Sequence, residues 1–421
     1  MDWMDGMDIM DADVLPEPTE TRPDNPRNGR RGLMRLWRNH GVILALLMLI
    51  PAMSAICAQE KDTMTTTEPL AFDTRRGGGA FGPAIAIDPV FEYYAKRPWR
   101  ETCAAVRAAG FTSAQIIDVG GAPVDHAAVA AAFREAGVSP ILRIYPATDH
   151  KMYREHPEWR QRMLGGADGK FLWRTYLCPN RPDFVKAHCA SIGKMMREGG
   201  YEGIQLAEIW FEKWGGPEEA PGKPNAFYAC VCEACLGRFR DLTGEDAMPM
   251  LTLPSDPRYF RRPDNAALYA KWVGMRVQTI QDFGKALIDA AKRANPKVNV
   301  SVMYMADARV ELDGGREYQG CDFDRMVGEW KPDILALEDA WQDWTQANLG
   351  VEFIADYAHA YRARVERLNP GTFIMTHADI GSLPESRRSR EWIRSFAEAT
   401  VRSGLGAPSF YEWSVSAFAQ K

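Results

Sequence analysis

The chain has 421 residues, 46% apolar and 25% charged, which excludes a wholly disordered, collagen-like or disulfide-dense chain. Its 51 basic and 56 acidic residues leave a net charge of -5, so no overall positive field draws it to nucleic acid or anionic lipid. Aromatic residues make up 11%, with 13 Trp and 14 Tyr, enough to build a core and still offer faces to an apolar ligand surface.

Residues 1–58 read as a tail followed by an export signal or membrane anchor. An acidic, Pro-rich start gives way to Arg27, Arg30, Arg31, Arg35 and Arg38, then to an apolar run from Gly41 to Ala55 and small residues. That order of basic, apolar and small residues is the order of an export signal. The run is short for a membrane span. Cleavage after Ala58 would place the large Ile56 at the −3 position. Ile56 also stands where a lipoprotein signal ending at Cys57 wants a small residue. Met34 is an alternative start, and Arg30-Arg31 forms a weak twin-arginine pattern. The expected location is exported: periplasmic, extracellular or, with an uncleaved anchor, membrane-associated. Residues 59–80, polar and then glycine-rich at Gly77-Gly78-Gly79, read as a linker. Residues 81–421 are left for the folded domain.

Short apolar runs then alternate with helix-like segments. The expected strands are Ala84–Ile87, Ser113–Asp118, Pro140–Tyr145, Gly203–Glu208, Val298–Met303, Ile334–Glu338, Thr372–Thr376 and Pro408–Glu412. Each is short and mostly apolar, as a strand buried on both faces must be. Between them, Trp99–Ala109, Ala127–Ala136, Asp183–Met196, Ala266–Ala294, Phe323–Glu329, Phe353–Leu368 and Ser389–Arg402 carry apolar stripes at helical spacing. Several stop at Gly or at Asn-Pro just before the next strand. Eight strand–helix units predict a (β/α)8 TIM barrel rather than an open sheet. The long loops fall after strands three and four, Pro146–Arg181 and Ile209–Asn265. No glycine-rich phosphate loop follows the first strand, so no organic cofactor is expected.

In such a barrel the chemistry lies at the carboxyl-terminal ends of the strands. There the sequence supplies Asp88, Asp118, Arg143, Tyr145, Glu208, Trp210, Tyr304, Glu338, Asp339, Trp341, His377, Asp379, Glu412 and Trp413. Carboxylates interleaved with Trp and Tyr suit a sugar: acids accept hydroxyl protons, and rings stack on the apolar side of a pyranose. Two carboxyls about 5–5.5 Å apart suit retention, and about 6.5–9.5 Å suits inversion. Glu208, ending an abruptly terminated apolar strand, is the first candidate for general acid/base. Its alternative is a structural acid paired to an arginine such as Arg143. Glu338 is the leading second carboxylate, followed by Asp339 and Glu412. Neighbouring acids on a strand point to opposite faces, and the bulky Leu335 and Leu337 favour Glu338 inside. By the same parity Ala207 rather than Glu208 could be the inward residue of strand four. The other acids, Arg143, His377 and the rings are expected to contact substrate. A metal at His377, Asp379 and Asp307 has no tight motif behind it.

Cys230-Val-Cys232-Glu-Ala-Cys235 is the sharpest short motif. Three thiolates at this spacing can face one tetrahedral metal; Cys178 from the preceding loop is the first choice for the fourth ligand, and Cys189 in the next helix the second. The expectation is a structural Zn2+; its rival is a disulfide or free thiols.

The segments His156-Pro-Glu-Trp159, Gly165-Gly-Ala-Asp168-Gly-Lys170, Leu177-Cys-Pro-Asn180 and Gly203-Ile-Gln-Leu-Ala-Glu208, followed by the cysteine cluster and Phe239, resemble bacterial glycosyl-hydrolase-like barrels. These are related in outline to family 42 beta-galactosidases and to alpha-galactosidase-like barrels. The resemblance covers residues 84–413 as architecture and about 150–240 at the level of motifs. It implies an acid on strand four, which falls on Glu208, although many relatives carry Asp there. The family 42 likeness implies structural zinc at the cysteine cluster and a nucleophile on strand seven, where this chain has His377 and Asp379. The alpha-galactosidase likeness implies a partner acid on strand six, Glu338 or Asp339. The expected function is an exported glycoside hydrolase acting on an oligo- or polysaccharide. The alternatives are a non-catalytic carbohydrate-binding barrel and a metal-dependent hydrolase.

Overall fold

The computed structural model describes residues 70–121, 123–212, 215–306, 314–339 and 346–419. The expected export signal, Asp307 and Trp341 lie outside the described residues, as does the side chain of Asp339.

Eight parallel strands close into a barrel. We number them β1 (Ala84–Ile87), β2 (Ser113–Asp118), β3 (Ser139–Ile144), β4 (Gly203–Leu206), β5 (Asn299–Ala306), β6 (Ile334–Asp339), β7 (Phe373–Asp379) and β8 (Ala407–Tyr411). Each pairs with its neighbours in chain order, and β1 pairs with β8 to close the ring. Closure leaves no strand edge exposed. Among the helices of the described residues, the one leading into the next strand after each of β1 to β7 is α1 (Trp99–Ala108), α2 (His126–Glu135), α3 (Pro182–Gly199), α4 (Ala266–Ala294), α5 (Phe323–Trp330), α6 (Phe353–Leu368) and α7 (Arg390–Arg402). The eight expected strands are all present, with ends displaced by a few residues.

Local chemistry sets the helix limits. Asp125, Asp322 and Ser389 cap α2, α5 and α7, each accepting a first-turn N–H, an interaction typically worth about 1 kcal/mol. Pro182 opens α3, where a missing N–H costs nothing, and Gly200 closes it at a φ of 62°.

Two apolar layers result. The outward faces of the strands pack on the helices through residues such as Ile85, Ile116, Leu142, Ile204, Leu335 and Leu337. The inward faces form a separate cluster that includes Ala84, Ala86, Ile117, Ile141, Ala207, Met303, Ala336, Phe373, Met375 and Ala407. Small residues face large ones across this narrow interior, so the barrel is filled rather than hollow. The described part of the expected linker, from residue 70 onward, packs on the barrel. Leu70 is buried in the outer cluster, and Phe72, Ala80 and Phe81 pack onto the inner one. Phe81 meets the Phe373 ring edge-on at 5.6 Å. This stretch belongs to the domain because its apolar side chains cover the interior cluster.

The loops after β3 and β4 are stitched together. Met163 bridges to Ala229, Leu164 N donates to Tyr228 O at 2.8 Å, and Val231 N donates to Arg162 O at 2.8 Å. Within the first loop, Lys170–Phe171 and Arg174–Thr175 form a two-stranded antiparallel ribbon.

Candidate active site

Alternation along the strands decides what enters the barrel. Because Ile334 and Ala336 face inward on β6, Glu338 follows them to the carboxyl-terminal mouth, where it is half-buried. On β1, Ala84 and Ala86 lead in the same way to Asp88. On β3 the sequence of inward residues is Ile141, Arg143 and Tyr145, and on β8 it ends at Tyr411.

Beneath the mouth a polar string crosses the interior. Arg143 Nη1 donates to Gln115 Oε1 at 3.2 Å, and Gln115 Nε2 donates to Ser409 Oγ at 3.1 Å. Ser409 Oγ lies 2.9 Å from His377 Nδ1. Burial, reinforced by Arg143, holds His377 well below the ordinary imidazole range, so the ring is neutral. Arg143 itself is 1% exposed. Its guanidinium lies 5.3 Å from the Tyr145 ring centroid and 5.9 Å from that of Tyr411.

Burial pushes the Asp88 carboxyl up to about 6, the Val90 N–H and Arg143 opposing and Asp118 adding to the rise. Tyr145 is pushed up to about 12 by burial; the charges of Glu208 and Glu338 add to this and that of Arg143 opposes it. Both carboxylates therefore act on one phenol. Asp379, at the end of β7, is spent on its own loop: Oδ1 accepts from Gly381 N, Ser382 N and Ser386 Oγ at 2.9, 3.0 and 2.6 Å.

Glu208 takes a different course. Ala207 occupies the inward position of strand four, and Glu208 adopts a φ of 53°, left-handed backbone that a non-glycine residue enters only at a cost. There it receives both arms of Arg174. Arg174 Nε donates to Glu208 Oε2 at 2.6 Å, and Nη2 donates to Oε1. This two-point pair, rather than one with Arg143, is the arginine partner of Glu208. Arg174 gives the sequence no motif, since it lies in a loop without periodicity. Its guanidinium also lies over the Trp173 ring, 4.7 Å from the centroid.

No family model matches the chain, and no curated protein matches it in sequence. Solved structures match it in fold. A beta-galactosidase from the Antarctic haloarchaeon Halorubrum lacusprofundi superposes with a TM-score of 0.56 at 13% identity, over 79% of this chain and 52% of that one. The PgaB (BpsB) glycoside hydrolase domain from Bordetella bronchiseptica gives 0.54 at 12% identity, over 78% and 93%. Alpha-L-fucosidase isoenzyme 2 from Paenibacillus thiaminolyticus gives 0.51 at 13% identity, over 80% and 46%. The barrel shares its fold with glycoside hydrolases. The chain spans about half the length of the Halorubrum beta-galactosidase, whose 52% it covers. At these identities the likeness is one of fold.

Five expected substrate contacts do not reach the mouth of this barrel. Tyr304 follows the inward Met303 on β5, and its ring packs on Phe323 of α5 and Tyr361 of α6 at 5.0 and 6.2 Å. Trp210 is buried in the outer cluster beside Tyr176. Trp413 is 1% exposed, edge-on to Phe111, with Nε1 donating to Tyr93 OH at 3.3 Å. Asp118 faces α2, accepting from His126 Nε2 at 2.8 Å and from Gly120 N at 2.8 Å. Burial raises that carboxyl, but these two donors outweigh it and hold it below the ordinary range. Glu412 is fully buried and accepts from Tyr94 OH, Asp88 N, Ser414 N and Ser414 Oγ. Asp118 and Tyr304 take the outward faces of β2 and β5, whereas Trp210, Glu412 and Trp413 lie beyond the ends of β4 and β8.

Cys178, Cys230, Cys232 and Cys235 come together, all buried, with their sulfurs within 4.8 Å of one another. Cys178 lies 3.5 Å from Cys235 and 3.5 Å from Cys232, and Cys232 lies 3.8 Å from Cys235. A tetrahedron of sulfurs about 2.3 Å from a central zinc has edges of about 3.8 Å, so the donor set fits one ion. Backbone N–H groups of Arg162 and Cys232 point at Cys230 Sγ at 3.3 and 3.4 Å, and Asn180 Nδ2 points at Cys235 Sγ at 3.2 Å. Such donors favour sulfur in the thiolate form. Among the described residues this is the one cluster able to hold a metal. No helix among them is long and apolar enough to cross a membrane.

Proposed function

We propose that the protein is a glycoside hydrolase that cleaves an O-glycosidic bond in an oligo- or polysaccharide at the barrel mouth. One observation carries the reading: two acids stand at the carboxyl-terminal ends of barrel strands, Glu338 at the end of β6 and Glu208 just beyond β4, where Arg174 holds it. Two carboxyl groups flanking the scissile bond are what such hydrolysis needs.

Their surroundings divide the labour. Both oxygens of Glu208 already accept from Arg174, and a carboxyl so engaged serves as an acceptor, not as a proton donor. We therefore exchange the roles the sequence suggests. Glu208 supplies the carboxylate that either attacks the anomeric carbon, forming a glycosyl ester that water then cleaves with Glu338 taking the water's proton, or itself takes the proton of the attacking water. Glu338 gives its proton to the departing glycosidic oxygen and recovers one from solvent. Asp88 bonds hydroxyls of the sugar, while Arg143 and His377, buried beneath the mouth, support the side chains above them. Tyr145 and Tyr411 supply the apolar wall.

The cysteine set belongs to the scaffold in this proposal. Zn2+ held by Cys178, Cys230, Cys232 and Cys235 would tie the β3 loop to the β4 loop and so fix Arg174 over Glu208. The basic, apolar and small residues before residue 59 support export of the barrel.

Hydrolysis of aryl glycosides and of plant and algal oligosaccharides, followed by product NMR, tests the reading. Release of reducing sugar supports it, and the first-formed anomer reports stereochemistry. Saccharide binding without turnover across the panel would favour the carbohydrate-binding barrel instead.

A further inference from the structure

The ribbon in the β3 loop breaks two rules of local structure at one place. Lys170 pairs with Thr175 and Phe171 with Arg174, so Leu172 and Trp173 form its two-residue turn. Leu172 has a φ of 50°. Glycine is the usual residue at the first central position of such a turn when its φ is positive, and a leucine there is strained. Both residues are also large and apolar yet open to water, with Leu172 57% and Trp173 39% exposed. Neither choice helps the ribbon fold. Local rules broken together, next to a candidate site, point to a ligand rather than to stability.

The surroundings of Trp173 say which ligand. Tyr145 meets it edge-on, with centroids 5.0 Å apart and planes at 84°. Arg174 lies over the ring and is itself fixed in two-point contact with Glu208. The indole is thus tethered to two residues of the mouth while more than a third of the residue faces outward. An aromatic ring held rigidly beside a polar cleft suits the C–H face of a sugar, which is apolar and flat.

We propose that Trp173 is the stacking platform for a second pyranose ring, adjacent to the ring whose bond is cut, with Leu172 extending its apolar edge. This rests on the glycoside hydrolase reading and deepens it: the substrate is an oligosaccharide recognised over at least two rings, not a simple monoglycoside.

Binding measured by intrinsic tryptophan fluorescence and calorimetry tests it. The probes are tri- to hexasaccharides of galactose, glucose and N-acetylglucosamine. The proteins are the parent, Trp173→Ala, Trp173→Tyr and, as a control at an exposed apolar residue elsewhere, Leu242→Ala. Melting temperatures confirm that each is folded. A stacking contact predicts an affinity about 3- to 10-fold weaker in Trp173→Ala. Trp173→Tyr should restore most of it, and Leu242→Ala should match the parent. Equal binding by all four proteins would overturn the platform and leave the hydrolase reading standing. No binding and no hydrolysis of any saccharide by the folded parent would overturn both.

Discussion

Replacing Glu412 by glutamine should remove a loss of stability that the parent suffers between pH 5 and pH 8. Glu412 is fully buried at the end of β8. Tyr94 OH, Asp88 N and both donors of Ser414 reach it, yet burial outweighs them and pushes its carboxyl up from 4.5 to about 7. In the unfolded chain the group releases its proton at the ordinary value. Its contribution to stability is therefore complete below the unfolded value and is lost as pH rises through about 7. Integrating proton release between those two values gives a loss of about 2.5 kcal/mol from pH 5 to pH 8. Asp88, raised to about 6, adds a loss of the same sign in both proteins. Glutamine keeps an acceptor for Tyr94 and Asp88 but turns an N–H2 toward the Ser414 N–H. That mismatch lowers stability by about 1–2 kcal/mol at every pH without changing the slope. Urea unfolding at pH 5, 6, 7 and 8 reads the difference. The stability difference between Glu412→Gln and the parent should therefore move by about 2.5 kcal/mol in the variant's favour across this range, turning its deficit at pH 5 into an advantage at pH 8. Parallel curves would refute the claim that Glu412 buries its charge only at a cost.

Two further outcomes follow from packing and from the thiols. Gly284 lies mid-helix in α4, where a Cβ would sit 2.2 Å from Trp330 Cζ2. Gly284→Ala should therefore destabilise the protein by about 1–3 kcal/mol through overpacking, despite alanine's better helix propensity; a gain in urea midpoint would contradict the contact. Purified protein should carry about one zinc per chain, and stripping it with a strong chelator should lower the melting temperature. Intact-mass analysis that found these four cysteines oxidised in pairs, with no metal, would replace zinc with disulfides.

Much of the fold was legible because the barrel repeats one message eight times. Each strand is a short apolar run, and the helices before them stop at signals such as Gly110, Gly137 and Asn295-Pro296. Spacing made Cys230, Cys232 and Cys235 legible as a set, and the long preceding loop pointed to Cys178. Within the site, the bulk of Leu335 and Leu337 correctly put Glu338 inside. Tyr304 obeys the same alternation, since its neighbour Met303 takes the interior. Glu208 shows where parity ends: once Ala207 has faced inward, a positive φ and an arginine from another loop decide where the next side chain goes. Arg174 and Trp173 were not legible. They sit in a turn that lacks the glycine or asparagine by which such turns are recognised, and their role depends on a contact across 34 residues of sequence.

The most direct test of the central claim is kcat/KM against pH for the parent, Glu208→Gln and Glu338→Gln, on the best substrate the panel yields. Each variant should lose at least about 100-fold in kcat while keeping the parent's fold and zinc content. Glu338→Gln should in addition lose the fall in rate at high pH that loss of a general acid's proton produces. Turnover unchanged in both variants would contradict the assignment of chemistry to this pair of carboxylates.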